Sequence, residues 1–225
     1  MNLKCNIINK LKSRSKGKKT LKQIENKILS TLYLSEITGE NPIEKILQNN
    51  MISEKQISEK MEKLTQDNLV NQDEMTLTEI GRGSLRVVLA GGVFDIIHPG
   101  HISTLNAAKA LGDVLVVVVA TDNTAVKMKK RRPIHSQEQR QELVNSLSVV
   151  DLCLIGQEND IFKTVNLVKP QIIALGYDQV HQEQFITEGC KKIKLDAKVA
   201  RLQSPIPESS SSKIEKEYGE SIHGI

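Results

Sequence analysis

Two histidines three residues apart, His98 and His101, close the run G-G-V-F-D-I-I-H-P-G-H that begins at Gly91. The run starts as the end of an apolar strand, Arg86 to Val93, with β-branched Val87, Val88 and Val93. It ends where Ile102, Leu105, Ala108 and Leu111 share one face of a helix. Strand, tight turn and helix start together make an anion site, because free backbone N–H groups and the positive end of the helix dipole converge there. Gly100 stands between the histidines, where a side chain would obstruct a closely approaching ligand. Paired imidazoles beside such a site point to chemistry on a phosphoryl group. No Cys or further His stands near them, so metal ligation is not expected.

The elements around that turn alternate. A second strand, Asp113 to Ala120, carries the continuous run L-V-V-V-V expected when both sheet faces are buried. A basic loop follows, K-M-K-K-R-R-P from Lys127 to Pro133. Ser136 and Gln139 form a capping box for a helix reaching about Leu147. Strands are expected at Asp151 to Ile155, Ile172 to Leu175 and Lys198 to Leu202, and helices at Ile161 to Val168, Gln182 to Cys190 and Lys213 to Tyr218. Alternation of this kind implies an α/β fold with a parallel sheet and right-handed crossovers. The loops after the strands then share the carboxyl edge, where ligands sit.

The first third of the chain reads differently. Residues 1–19 form a basic segment containing K-S-R-S-K-G-K-K, and eight Lys or Arg but no acidic residue precede Glu25. Residues 20–85 suggest a small mainly α domain. Leu21, Ile24, Ile28 and Leu32 mark a first helix, and Ile43 to Leu47 a short second one. Ser53 caps a third, with Ile57, Met61 and Leu64 inward. Short extended pieces at Leu69-Val70 and Met75-Thr76-Leu77 flank the polar turn Asn71 to Glu74, and L-T-E-I-G-R closes the segment. This order resembles a winged helix-turn-helix domain, which implies a recognition helix from Ser53 to Gln66. That helix mixes Lys55, Lys60 and Lys63 with Glu54, Glu59 and Glu62. Contact with duplex DNA through phosphates and service as a protein-contact module are both open.

Composition narrows the classes. The 225 residues carry a net charge of +4, no Trp, three Tyr and three Phe, which argues against single-strand binding by aromatic stacking. Cys5, Cys153 and Cys190 are odd in number and lack C-x-x-C spacing, so a disulfide framework is not indicated and a reducing cytoplasm fits. No apolar run reaches membrane-spanning length, and no membrane partner is expected.

The phrase G-V-F-D-I-I-H-P-G-H resembles the H-x-G-H signature of the nucleotidylyltransferase superfamily, in particular its cytidylyltransferase-like branch. The likeness spans about Arg86 to Tyr218, within a domain of residues 86–225. It implies a Rossmann-like sandwich and transfer of a nucleotidyl group from an NTP to a phosphate ester, with pyrophosphate released and Mg²⁺ accompanying the NTP. The blocks R-R-P-I-H-S-Q-E-Q-R-Q-E-L-V, V-D-L-C-L-I-G and A-L-G-Y-D-Q are most similar to archaeal FAD synthases, which use ATP and FMN. They are also similar to glycerol-3-phosphate cytidylyltransferases, which use CTP. A DNA-binding regulator that senses a ligand is the reading from another class, and a homodimer is expected.

By the same resemblance, Gly92, Val93, Phe94, Asp95 and Gly100 line the nucleotide together with His98 and His101. Gly176, Tyr177 and Asp178 border the nucleoside. Lys127 is a catalytic candidate, with Lys130 and Arg131 at the acceptor or a phosphate and Arg140, grouped with them, on the helix under the substrate loop. The basic run itself does not choose between Lys127 and Lys130. S-S-S-S-K-I is similar to the family's late phosphate loop, which brings in Ser210, Ser211 and Ser212. The chain departs from the pattern just upstream, where P-I-P-E stands in place of a nearby Arg and Arg201 is the nearest one.

Overall fold

The computed structural model describes residues 23–48, 53–158, 160–177, 179, 181–203 and 214. The basic segment, Asp178, Ser210 to Ser212 and nearly all of the expected last helix lie outside the described residues. The chain divides into two compact units, Met1–Leu85 and Arg86–Ile225. Among the described residues, no helix is long and apolar enough to cross a membrane.

In the first unit, helix α1 covers residues 23–38, followed by α2 (Pro42–Gln48) and α3 (Glu54–Gln66). Ser53 caps α3 in a full capping box with Gln56. Ile28, Leu29, Leu32 and Tyr33 of α1 are buried, as are Met61 and Leu64 of α3. Strands β1 (Val70–Asn71) and β2 (Thr76–Leu77) pair antiparallel, and the Glu36 carboxylate accepts from the Leu77 amide at 2.7 Å, tying α1 to this hairpin. A helix not anticipated from the sequence follows, α4 (Glu79–Ser84). The Thr78 hydroxyl caps it, and Gly81 passes so close to the Leu69 carbonyl that a Cβ would stand 1.8 Å from that oxygen. On α3, Lys60 and Lys63 both pair with Glu25 of α1, at 3.2 and 2.7 Å.

The second unit is a five-stranded parallel sheet in the order β5-β4-β3-β6-β7. Its strands are β3 (Val87–Gly92), β4 (Val114–Val119), β5 (Leu152–Ile155), β6 (Ile172–Leu175) and β7 (Lys198–Arg201). The crossovers are helical: α5 (Pro99–Lys109), α6 (Asp122–Lys129), α7 (Gln137–Asn145), α8 (Ile161–Val168) and α9 (Gln182–Lys192). Valine-rich β4 lies between β3 and β5 and is almost wholly buried, as its unbroken apolar run requires. Val88, Leu105, Leu115, Val117 and Val144 belong to one core joining sheet and helices. The chain fills the β4 side of β3 first and then crosses to β6, so the winding direction reverses beside β3. That reversal opens a crevice at the carboxyl ends of β3 and β6, where the histidine turn lies.

Candidate active site

The turn after β3 is held in an unusual shape. Phe94 adopts φ +54°, a conformation that costs a branched or bulky residue and persists only where the surroundings impose it. Its ring is buried against Gly92, where a Cβ would meet it at 2.8 Å, and against the His101 ring at a centroid distance of 5.2 Å. A side chain at Gly92 would therefore displace the Phe94 ring. His98 occupies the N-cap of α5 with its side chain uncommitted to capping, and Pro99 takes the first helical position, where no amide is needed. The two imidazoles lie 3.9 Å apart between centroids. Nδ1 of each is buried without a hydrogen-bond partner among the described residues.

Buried unpartnered polar atoms are costly, and a pair of them converging on one turn marks a place built for a ligand. Burial is the main cause that lowers the His98 pKa, with the charge of Lys129 adding to it. His101 is lowered to about 4, by burial first, then by His98 and Lys129, against a hydrogen bond with the Ile96 backbone. At neutral pH both rings are uncharged; in His101 the bond to the Ile96 backbone is donated by Nε2, so the unpartnered Nδ1 carries the lone pair and donates to a phosphoryl oxygen only once the ring is protonated. Negative charge brought by a ligand would stabilise their protonated forms.

Two buried charges shape the rim. The Asp95 carboxylate accepts from the Arg131 guanidinium at 2.9 Å, from the Ile134 amide at 2.9 Å and from the His135 amide at 3.1 Å. Burial pushes its pKa up, but the His135 and Ile134 amides and Arg131 outweigh this and hold it below the ordinary carboxylate value. The Arg140 side chain, fully buried, donates from Nη1 to the Val93 and Ala120 carbonyls, from Nε to the His135 carbonyl and from Nη2 to the Asp122 carboxylate. It therefore joins the ends of β3 and β4 to the start of α6 and to the loop before α7. The resemblance put Arg140 on the helix under the substrate loop, grouped with the acceptor or phosphate contacts; it does lie on α7, but every guanidinium nitrogen is engaged by protein acceptors, so no donor is left for a phosphate.

The family whose description is cytidylyltransferase-like matches residues 89–217. The chain belongs to that family. Its similarity to curated proteins includes the FAD synthase of Picrophilus torridus, 46% identical over 125 residues that cover 56% of this chain and 89% of the relative. The FAD synthase of Methanosarcina barkeri is 46% identical over 132 residues, covering 58% of this chain and 94% of the relative. Among solved structures, a lipopolysaccharide core biosynthesis protein from Thermoplasma volcanium is 44% identical with a TM-score of 0.51, covering 54% of this chain and 98% of that one.

Within this cytidylyltransferase-like unit, Gly92, Val93, Phe94, Asp95, His98, Gly100 and His101 share one turn and the first helical residues after it. Gly176 and Tyr177 follow β6 at the same sheet edge, where the Gln179 side chain accepts from the Gly176 amide at 2.8 Å; Tyr177 is exposed. The basic run is not the loop expected from the sequence. Thr121 caps α6 through its hydroxyl, and the helix continues through Lys127 to Lys129 before Lys130 ends it at φ +60°. Lys127 is thus an exposed residue of a helix, and Lys130 a cap residue. Arg131 is tied to Asp95 and to the Arg132 carbonyl. The basic residue whose charge bears on both imidazoles is Lys129. The sequence placed it inside the basic run without singling it out, and the cue it offered was the Thr121 cap that extends the helix.

Proposed function

We propose that the chain transfers AMP from ATP to FMN, forming FAD and releasing pyrophosphate. The observation that carries this reading is the pair of uncharged imidazoles, His98 and His101, with buried unpartnered Nδ1 atoms at the start of α5. The choice of ATP and FMN is supported by the likeness to FAD synthases over most of their length. An oxygen of the FMN phosphate attacks the α-phosphorus of ATP in line, and the bond to the pyrophosphate oxygen breaks. No covalent intermediate with the protein is needed, so positioning and electrostatics do the catalysis. The triphosphate's negative charge favours the protonated imidazoles, which then donate to oxygens on which negative charge grows, and Lys129 supplies positive potential from α6.

Among the described residues, no group of three or more His, Cys, Asp or Glu side chains could hold a metal ion, and the Asp95 carboxylate is taken by protein donors. The described residues therefore offer no metal cage. A divalent cation, Mg²⁺ by the resemblance, belongs to the triphosphate that brings its own oxygens.

The deciding assay supplies ATP or CTP with FMN, glycerol 3-phosphate or phosphopantetheine and follows pyrophosphate. Release with ATP and FMN, and FAD as the product, is the expected result. Release only with CTP and glycerol 3-phosphate would replace the reading with the cytidylyl one.

For the first unit the winged-helix reading stands as a proposal. Duplex DNA, if the unit meets it, is contacted by Lys55 and the basic residues before Glu25, because Lys60 and Lys63 are bonded to Glu25.

A further inference from the structure

We propose that His135 is a contact residue of the acceptor subsite, its Nε2 accepting a hydrogen bond from a hydroxyl on the carbon chain beside the acceptor's phosphate. The inference rests on the FMN reading above. His135 is anchored at three points. Its amide donates to Asp95 Oδ1 at 3.1 Å, its carbonyl accepts from Arg140 Nε at 3.0 Å, and its Nδ1 lies 3.0 Å from the Asp95 carbonyl oxygen. The first two bonds are made by the backbone and would survive any side chain, so the loop does not need an imidazole to keep its shape.

The third bond orients the ring and sets its tautomer. A carbonyl oxygen can only accept, so Nδ1 carries the proton facing Asp95. In the neutral ring Nε2 is then left with a lone pair. It has no hydrogen-bond partner among the described residues, and the side chain is 39% exposed. An oriented acceptor of this kind suits a hydroxyl, whereas a phosphate dianion would be repelled by the lone pair. The place suits the acceptor. Asp95, which holds the ring, lies three residues before His98, and its carboxylate also holds Arg131 of the basic run. FMN carries hydroxyls on the chain that bears its phosphate.

The test uses the full chain and three variants. In H135N an amide nitrogen replaces Nδ1 and keeps the bond to the Asp95 carbonyl, but nothing stands at Nε2. In H135Q the side-chain carbonyl reaches the Nε2 position. In H135K a cation does. We expect H135N to raise the KM for FMN about tenfold, the scale of one lost hydrogen bond, with the KM for ATP and the melting temperature unchanged. H135Q should recover most of the loss. A wild-type KM for FMN in H135N would overturn the proposal, as would a rise in the KM for ATP instead. Rescue by H135K and not by H135Q would place a phosphate at Nε2 and overturn it too. A wild-type chain that makes no FAD brings down the FMN reading itself, whereas an active wild type beside an unaffected H135N brings down only the role of His135.

Discussion

His98 and His101 are placed where a polar atom costs most and a ligand gains most. Their rings lie against each other at a tilt of 32°, Phe94 backs His101, and no protein group satisfies either Nδ1 among the described residues. Donors held in advance at the point of developing charge are worth roughly a hundredfold to a thousandfold each in turnover. His98→Ala and His101→Ala should therefore each lower kcat by about a hundredfold or more while the circular-dichroism spectrum stays native. Near-normal turnover in both purified variants would remove them from the chemistry. The same burial makes a statement about stability. In the unfolded chain an imidazole protonates near 6.5, whereas folded His101 resists protonation until about 4. Between those values the unfolded state binds more protons than the native one, so stability contributed above pH 6.5 is lost as pH falls toward 4. His101→Gln has no such group. Its urea midpoint should drop less than that of the wild type between pH 7 and 4.5, and equal drops would mean that His101 is not held neutral by the fold.

At the scale of elements, α6 does what a loop could not. A helix carries Lys129 on a rigid backbone, and its charge bears on both imidazoles, whereas Lys127, two residues earlier, is not among the charges that act on them. We expect Lys129→Ala to move the His98 and His101 pKa values upward in an NMR titration, because one like charge is gone, while Lys127→Ala leaves them in place. Equal shifts from the two variants would mean that the helix does not discriminate between them. The strands and most helices were legible in the sequence, since L-V-V-V-V and the Ser136 box are local signals with local causes. The histidine turn was legible as well, because its residues are contiguous. Residues 127–129 misled for a physical reason: a basic run reads as solvated loop, yet one cap at Thr121 carries the helix through them. Helix α4 was hidden in the same way behind Gly81 and Gly83, whose weak helix propensity is overridden by the Thr78 cap. The place of Arg140 on the helix under the substrate loop was legible by resemblance, but its partners were not, because Val93, Ala120, Asp122 and His135 come from separate segments and meet only in the fold.

At the scale of the molecule, the sheet, its core and the histidine turn all belong to the unit Arg86–Ile225. A chain of residues 86–225 should therefore fold and turn over ATP and FMN by itself; an inactive product beside an active full chain would mean that the first unit completes the core or the site. The first unit then needs a use of its own. Its third helix exposes Glu54, Glu59 and Glu62, while Lys60 and Lys63 are held by Glu25, so this surface does not favour phosphates. No Arg occurs in that helix, and the bidentate contact to guanine is absent from it. What remains for DNA is Lys55 and the charge before Glu25, where eight basic residues stand without an acidic one. Binding by such a segment is driven by counterion release and weakens steeply with salt. We expect weak binding of the full chain to a mixed-sequence duplex in fluorescence anisotropy at low salt. The slope of log affinity against log salt should flatten when residues 1–19 are deleted, and Lys60→Ala should leave it unchanged. Undetectable binding at low salt would assign the first unit to protein contact, and an unchanged slope in the deletion would move the phosphate contacts onto the helical unit despite its acidic face.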